Sequence, residues 1–595
     1  MARTRGPGHS ATPQTRFREK PVEMEVISAE SGFDSRWAAR GTYGSFEEAK
    51  NEMKTIDFPG RITELEEQPF QSELTITTSL ESLRNGSSTS GLASKRFWSE
   101  AKALANIALP CAMGNFLLFL PVTFQLIFVG HLSDGMGKKA LDGVALGRAY
   151  FNATALSIGF GMISALRTLC PQAVGAGRPE LCRLYAQRSA AIAFFALIPC
   201  VVLVLSASSI LKALGQPPEI SELAGDYCAR CIPQLYGMIS FTILQRVMQA
   251  LDMNWTNLCI CAIVCSLAPF VLYFYIFFLD LGLYGAGWAA STYTWFYVFL
   301  SVPALATQGH GDLFVFQGLE IFDIQGAKEY MALALPGTLQ LCLEWWVLEV
   351  VSILAGLLPN PVVTIGASYI AYNLEGLMVM LWIGNLIGIS IRVGEHIGAR
   401  RVAQARTAAS LGFAFAVFLG LLSGTTIFFT RREIVYLYTT DESIREVSAT
   451  LMSVLAVLVF CDACNNAAGG IMNGLGLQRG AAMFQLVGYW GVGIPTAVIS
   501  VFFFTQQYPI LWLWGSVALA MASSCTLQVL HLARHDWTSS VEEAEKRLQK
   551  DVRTRLSTRQ PSPNSDLDTK SVISSLGPNK YDEVITATGE CLLSI

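Results

Sequence analysis

The chain has 595 residues, of which 52% are hydrophobic and only 15% charged, and its formal net charge is −4. Its charge is concentrated at the two ends, which excludes a soluble globule and leaves an all-α polytopic membrane protein whose main partner is the lipid bilayer. A net charge of −4 on a chain this long carries no information about partners, and no nucleic acid is expected. The fourteen cysteines fall mostly inside apolar runs, as Cys259, Cys261 and Cys265 do, where cysteine behaves as a small hydrophobe. Neither a disulfide framework, a metal site nor a cofactor is expected.

Residues 1–95 lack sustained apolar periodicity, and the Asn-Gly-Ser-Ser-Thr-Ser-Gly run at 85–91 reads as a flexible linker. This tail is expected to be largely disordered and cytoplasmic. No signal peptide is evident, so the first apolar span must itself serve as the insertion signal. About twelve spans follow, each near the roughly 20 residues a bilayer demands. They run over 104–129, 143–166, 186–211, 223–250, 255–279 and 283–306, then 329–357, 362–391, 406–429, 446–474, 481–504 and 510–533. The expected domains are an N-lobe over 96–306, a cytoplasmic linker over 307–328, a C-lobe over 329–535 and a cytoplasmic tail over 536–595.

Arg178, Arg183 and Arg188, then Arg400, Arg401 and Arg406, and finally Arg534 cluster on one side of this arrangement; Lys138, Lys139, Arg431 and Arg432 lie on the other. The positive-inside rule then puts both termini in the cytoplasm. The two halves also repeat. Pro110 and Gly130 are matched by Pro336 and Gly356, Gly175-Ala176 by Gly398-Ala399, and Gln249-Ala250 by Asn473-Gly474, all at offsets of 223 to 226 positions. With six spans per unit both copies insert in the same sense, giving two pseudo-symmetric six-helix bundles that can rock against each other as transporters do.

The seventh span carries LCLEWWVLE at 341–349, two carboxylates inside an apolar segment. An acid near the middle of such a helix costs about 2.5–3.5 kcal/mol even on lenient insertion scales, so Glu344 and Glu349 mark an ion-coupling site. At 100° per residue they point about 140° apart, whereas Trp345 and Trp346 fall within about 40° and 60° of Glu349. An apolar setting of that kind disfavours the charged carboxylate and suits it to proton exchange. The plainer alternative is that both acids only hydrogen-bond neighbouring helices. In the C-terminal tail, Ser540 and Glu543 form a capping box for a short helix that ends before Pro561. Tyr581-Asp582-Glu583-Val584 resembles a tyrosine-based sorting signal, and Cys591, fifth from the end, does not fit a prenylation box.

IFVGHLS (127–133), SALRTLCPQAVGAG (164–177), LCLEWWVLEVVSILAGLLPNP (341–361), SIRVGEHIGA (390–399) and GGIMNGLGLQRGA (469–481) resemble the multidrug and toxic compound extrusion (MATE) family, in its eukaryotic branch. The resemblance covers residues 104–537. It implies a monomer of twelve spans in two lobes, in the plasma or vacuolar membrane, exporting small organic molecules in exchange for protons or sodium ions. Eukaryotic members typically use protons and acidic residues of the C-lobe. Matched by position, the family's acids fall on Glu344, Glu349 and Asp462. Asp462, Asn466, Gly469 and Asn473 follow at steps of four, three and four, a polar stripe expected to face a wet cavity, with Asn465 beside it.

Some positions depart from the family pattern. Asn373 stands where some animal relatives have a third acid, and Glu375, about 200° further round the helix, is an added candidate that could replace it only with local unwinding. Gln125 stands where bacterial and archaeal relatives have an N-lobe aspartate, and Arg167 replaces a frequent acid in the SALxTLC turn. Trp345, Trp346, Tyr372, Tyr489 and Trp490 could add cation–π contacts of about 0.5–2 kcal/mol each, so amphipathic organic cations are the natural cargo. A lipid-linked flippase, a sodium-coupled exporter and a receptor are the competing readings. An enzyme is disfavoured, because the histidines form no catalytic constellation and His531 with His535 lacks the glutamate of HExxH.

Overall fold

The computed structural model describes residues 89–132, 137–439, 441–503 and 509–558. The tail up to residue 88, the Tyr581 motif and Cys591 lie outside the described residues. The first half comprises α1 (Thr89–Gly130), α2 (Gly137–Phe151), α3 (Ser157–Met162), α4 (Leu166–Gly175), α5 (Leu181–Leu205), α6 (Ala207–Ala213), α7 (Pro218–Arg230), α8 (Ile232–Ala250), α9 (Asn254–Tyr273) and α10 (Gly282–Leu305). The second comprises α11 (Ile324–Ala355), α12 (Pro361–Gly398), α13 (Val402–Phe429), α14 (Arg431–Tyr436), α15 (Glu442–Leu475), α16 (Gln478–Gln485), α17 (Ile494–Phe503) and α18 (Pro509–Arg534), followed by α19 (Trp537–Thr558). Helix α1 begins inside the stretch expected to be tail.

Among the described residues, ten helical runs are long and apolar enough to cross a membrane. The fourth and sixth places of the expected twelve are filled by the α7–α8 pair and by α10. The first is interrupted at Cys231 and carries Gln234, Gln245, Arg246 and Gln249, and the second is diluted by small and hydroxylated residues that its buried face needs. Helix ends follow local chemistry. Asp323 caps α11 by accepting from Gly326 N at 2.6 Å. Asp441 does the same for α15 from Ile444 N at 3.1 Å, and Gly476 closes that helix with a φ of 84°.

Each lobe has its own apolar core, one around Tyr185, Phe241 and Tyr297 and the other around Trp382, Leu455 and Trp514. The lobes meet along one half of their length. Ala112 of α1 packs onto Gly384 of α12, where a side chain would collide, and Ala108 packs closely onto Gly388. Gln172 Nε2 donates to Gly474 O at 3.0 Å and Ser390 Oγ to Arg167 O at 3.1 Å. This seal lies at the end of the bundle that holds the Gly175 and Gly398 turns.

Helix α19 lies across the same end and binds both halves. Tyr185 Oη donates to Asp551 Oδ2 at 2.8 Å, Arg188 Nη1 lies 3.3 Å from Asp551 Oδ1, Lys550 pairs with Glu329 and Glu545 with Arg400. Its start differs from the expected capping box. Asp536 Oδ1 accepts from Thr538 N at 3.0 Å and its Oδ2 from Thr538 Oγ1 at 2.6 Å, while Ser540 Oγ is 2.8 Å from His535 Nε2. The helix therefore begins upstream of Ser540, because a charged acceptor at its N-terminus serves the free amides better than a hydroxyl one turn later.

Candidate functional site

Helix α11 straddles the lobes. Near its start, Tyr330 Oη donates to Met162 O at 2.9 Å and to Ser189 Oγ at 2.6 Å, and Gly337 lies against Ser164 with no room for a Cβ. Its far half joins the C-lobe core through Val347, Val351 and Leu354. Glu344 sits at the changeover, half-buried, and accepts from Gln485 Nε2 at 3.4 Å. Trp490 Nε1 donates to the adjacent carbonyl of Leu343 at 3.1 Å, tying α11 to the eleventh span. There the backbone widens into π-helical winding over Leu486–Gly493, a local distortion frequent at functional sites.

Asp462 on α15 is 1% exposed. Its Oδ1 accepts from Asn466 Nδ2 at 2.9 Å, and Oδ2 has no partner among the described residues. Glu375 on α12 is also buried. The charges of Glu344, Glu375 and Asp462 interact with one another, and the buried Tyr489 lies within electrostatic reach of all three. Tyr489 Oη accepts from Asn465 Nδ2 at 3.3 Å; Asn465 Oδ1 accepts from Gln528 Nε2 at 3.0 Å, which reaches Ser524 Oγ at the same distance. The expected stripe on α15 is buried within the C-lobe: a Cβ on Gly469 would face Gln340 and Gln528, and the Asn473 carbonyl accepts from Thr168 of the other lobe.

Glu349 stands apart from this cluster. It is half-buried, and the partner within electrostatic reach is Tyr372, which also feels Glu375. Asn373 Nδ2 is committed to Tyr369 O at 2.8 Å. Trp345 meets Phe160 edge-on with ring centroids 6.1 Å apart, and Trp346 Nε1 donates to Ala153 O at 3.1 Å, so both indoles engage the second span. In the N-lobe, Gln125 is spent on structure, donating to Ala286 O at 2.8 Å and accepting from Tyr227 Oη at 3.3 Å. Among the described residues no three His, Cys, Asp or Glu side chains are placed to hold a metal ion.

The structure thus gathers Glu344, Glu375 and Asp462 and leaves Glu349 outside. Glu375 is legible as the one charged residue between 361 and 391, an added candidate set about 200° round the helix from Asn373. Gln485, which holds Glu344, carried no signal of its own.

The MatE family profile matches residues 110–275 and 336–499, one match in each half. The chain is similar to multidrug and toxin extrusion protein 1 of Danio rerio, at 30% identity over 447 residues covering 75% of this chain and 74% of the relative. It is 28% identical over 455 residues to multidrug and toxin extrusion protein 2 of Mus musculus, covering 75% and 77%. Against Protein DETOXIFICATION 33 of Arabidopsis thaliana it is 28% identical over 468 residues, covering 78% and 94%. The crystal structure of the eukaryotic MATE transporter AtDTX14 superposes with a TM-score of 0.71 at 24% identity, covering 76% of this chain and 99% of that one. The family matches and the duplicated helical lobes identify a multi-pass membrane transporter, not an enzyme. The chain belongs to the multidrug and toxic compound extrusion family, the efflux transporters whose profile spans both of its halves.

Proposed function

We propose that the protein exports organic cations from the cytoplasm in exchange for protons, using the acids of the C-lobe. The observation that carries this reading is the convergence of Glu344, Glu375 and Asp462 on one site, with an Asp462 oxygen that has no hydrogen-bond donor among the described residues. Three carboxylates so placed cannot all be ionised without strong mutual repulsion, so the cluster takes up and gives back protons as its surroundings change. Glu349, with the 41% exposed Tyr372 ring beside it, is suited to attract the cation, and the other aromatic candidates add contact area.

The basic residues near the sealed end support placing that end and both termini in the cytoplasm, which makes this conformation the outward-facing one. Protons arriving from outside neutralise the cluster and weaken the hold on the cargo. Loss of protons to the cytoplasm after the lobes rock restores the charged site, and the difference in affinity between the two states drives the cycle. The plasma and vacuolar membranes both supply the required proton gradient.

The test is uptake of a fluorescent organic cation into proteoliposomes under an imposed pH or sodium gradient. A pH gradient is expected to accelerate uptake, and Asp462→Asn to weaken that response sharply, leaving a measurable remainder, while still inserting and folding. Uptake driven by sodium alone, or normal pH coupling in the variant, overturns the proposal.

A further inference from the structure

At the sealed end, Arg167 of α4 and Arg246 of α8 line one small cavity between the lobes, together with Gln249 and, from α12, Ile387, Ser390 and Ile391. The two guanidinium groups lie within electrostatic reach of each other. Both side chains are half-buried, and like charges held together in a partly screened site repel unless something of opposite sign joins them. No carboxylate among the described residues is within hydrogen-bond range of either. Arg246 Nη1 donates to Gln249 Oε1 at 2.8 Å, and Arg167 reaches an acid only at longer range, in Glu344, which Gln485 already holds.

Gln249 supplies a second, independent indication. It is 2% exposed and its Oε1 is taken by Arg246, which fixes the orientation of the amide and leaves Nε2 as a buried donor with no well-aligned acceptor among the described residues and only the Cys111 sulfur as a weak partner. The Cys111 thiol beside it is a weak acceptor and is turned to Asn254 Oδ1, 3.4 Å away. The cavity therefore presents an amide donor and two cationic groups, with roughly 10 Å³ of open space, room for about one water-sized guest. A water there would satisfy the amide and leave the two positive charges facing each other.

We propose that this cavity binds a single small monovalent anion, of which chloride is the abundant candidate, bridging Arg167 and Arg246 beneath the α12 residues that cap it. The ion offsets the repulsion inside the N-lobe and so favours the conformation in which α12 lies over the site. When the lobes part at this end, Ser390 and the two isoleucines lift away and the ion is free to leave. The charged part of the lining is cationic, distinct from the acidic cluster, and the site does not depend on which cation the C-lobe exchanges.

The test uses the full chain, purified in detergent, with sodium chloride exchanged for sodium gluconate at constant ionic strength and unfolding followed by tryptophan fluorescence. The wild type is expected to show a saturable upward shift in Tm with chloride, as a ligand of the folded state produces. Arg167→Glu, which supplies a built-in carboxylate for Arg246, is expected to remove that shift while keeping a comparable Tm in gluconate. Should that variant fail to fold, Arg167→Gln, with half the positive charge, is expected to show a smaller shift than the wild type. Bromide-grown crystals are expected to give an anomalous peak between the two guanidinium groups. A wild-type Tm indifferent to chloride, an equal shift in the variants, or an anomalous map empty at this point overturns the proposal.

Discussion

Gly175 lies so close to the carbonyl of Glu395 that its α-carbon has no room for a side chain, and Gly398 stands in the same relation to the carbonyl of Gln172. Both pairs are related by the offset of 223 that relates the halves of the sequence. The repeat therefore folds back on itself: equivalent turns of the two lobes grip each other's backbone around a pseudo-twofold axis, with Pro171 against Gly394 between them. The small residues that recur in the sequence are the ones on which closure of this end depends.

Gly175→Ala and Gly398→Ala are each expected to wedge this end open, at about 1–3 kcal/mol for an overpacked contact. Spin labels on α4 and α12 should report a longer inter-lobe distance in either variant. An unchanged distance would show that closure does not depend on this contact.

The acids divide into a coupled set and a separate one, and double-mutant cycles can tell them apart. Glu375→Gln and Asp462→Asn, whose side chains interact, are expected to be non-additive in their effect on proton-driven uptake, with a coupling of about 0.5–3 kcal/mol. Glu349→Gln combined with Asp462→Asn is expected to be near additive, and Glu349→Gln alone to raise the KM for the cation more than it lowers the maximal rate. Equal coupling in both pairs would remove the division.

Trp346 ties α11 to the π-helical turn Asn152–Leu156 through Ala153 O. Trp346→Phe keeps an aromatic ring and deletes the donor, at a net cost of about 0.5–1.5 kcal/mol. The protein is expected to lose a few degrees of Tm and to show a broader distribution of inter-lobe distances, whereas an unaltered distribution would make the indole bond incidental.

Helix α19 offers a pH test. Burial pushes the Asp551 carboxyl above the usual range, against the opposing pull of the Tyr185 hydroxyl and Arg188, with Glu329 nearby adding to the rise. A carboxyl raised in the folded state lends stability that is fully present below its unfolded value and is lost as pH rises through the folded one. Docking of α19 is therefore expected to be tighter at about pH 5 than at about pH 7.5, read as hydrogen-exchange protection corrected for intrinsic rates. Asp551→Asn should flatten the dependence, and Asp551→Ala, which strands the buried Arg188, should cost about 3–5 kcal/mol. Weaker protection on acidification would contradict the assignment.

Much of this protein can be read along the chain. Apolar runs of bilayer length and their offset repeat dictate two six-helix lobes, because lipid admits few other arrangements of backbone, and the cost of Glu344 inside such a run singles it out as a candidate position. Rotation along one helix also separates Glu344 from Glu349 before any neighbour is known. Which acid on another helix completes the site is a different matter. Glu375 meets Glu344 and Asp462 because α12 and α15 pack in one register, and side chains far apart in sequence become neighbours only when the cores of the lobes have set that register. The meeting of Arg167 with Arg246, the α12 lid above them and the strap of α19 across both halves belong to the same category. Each depends on long-range packing, which local propensity and periodicity do not encode.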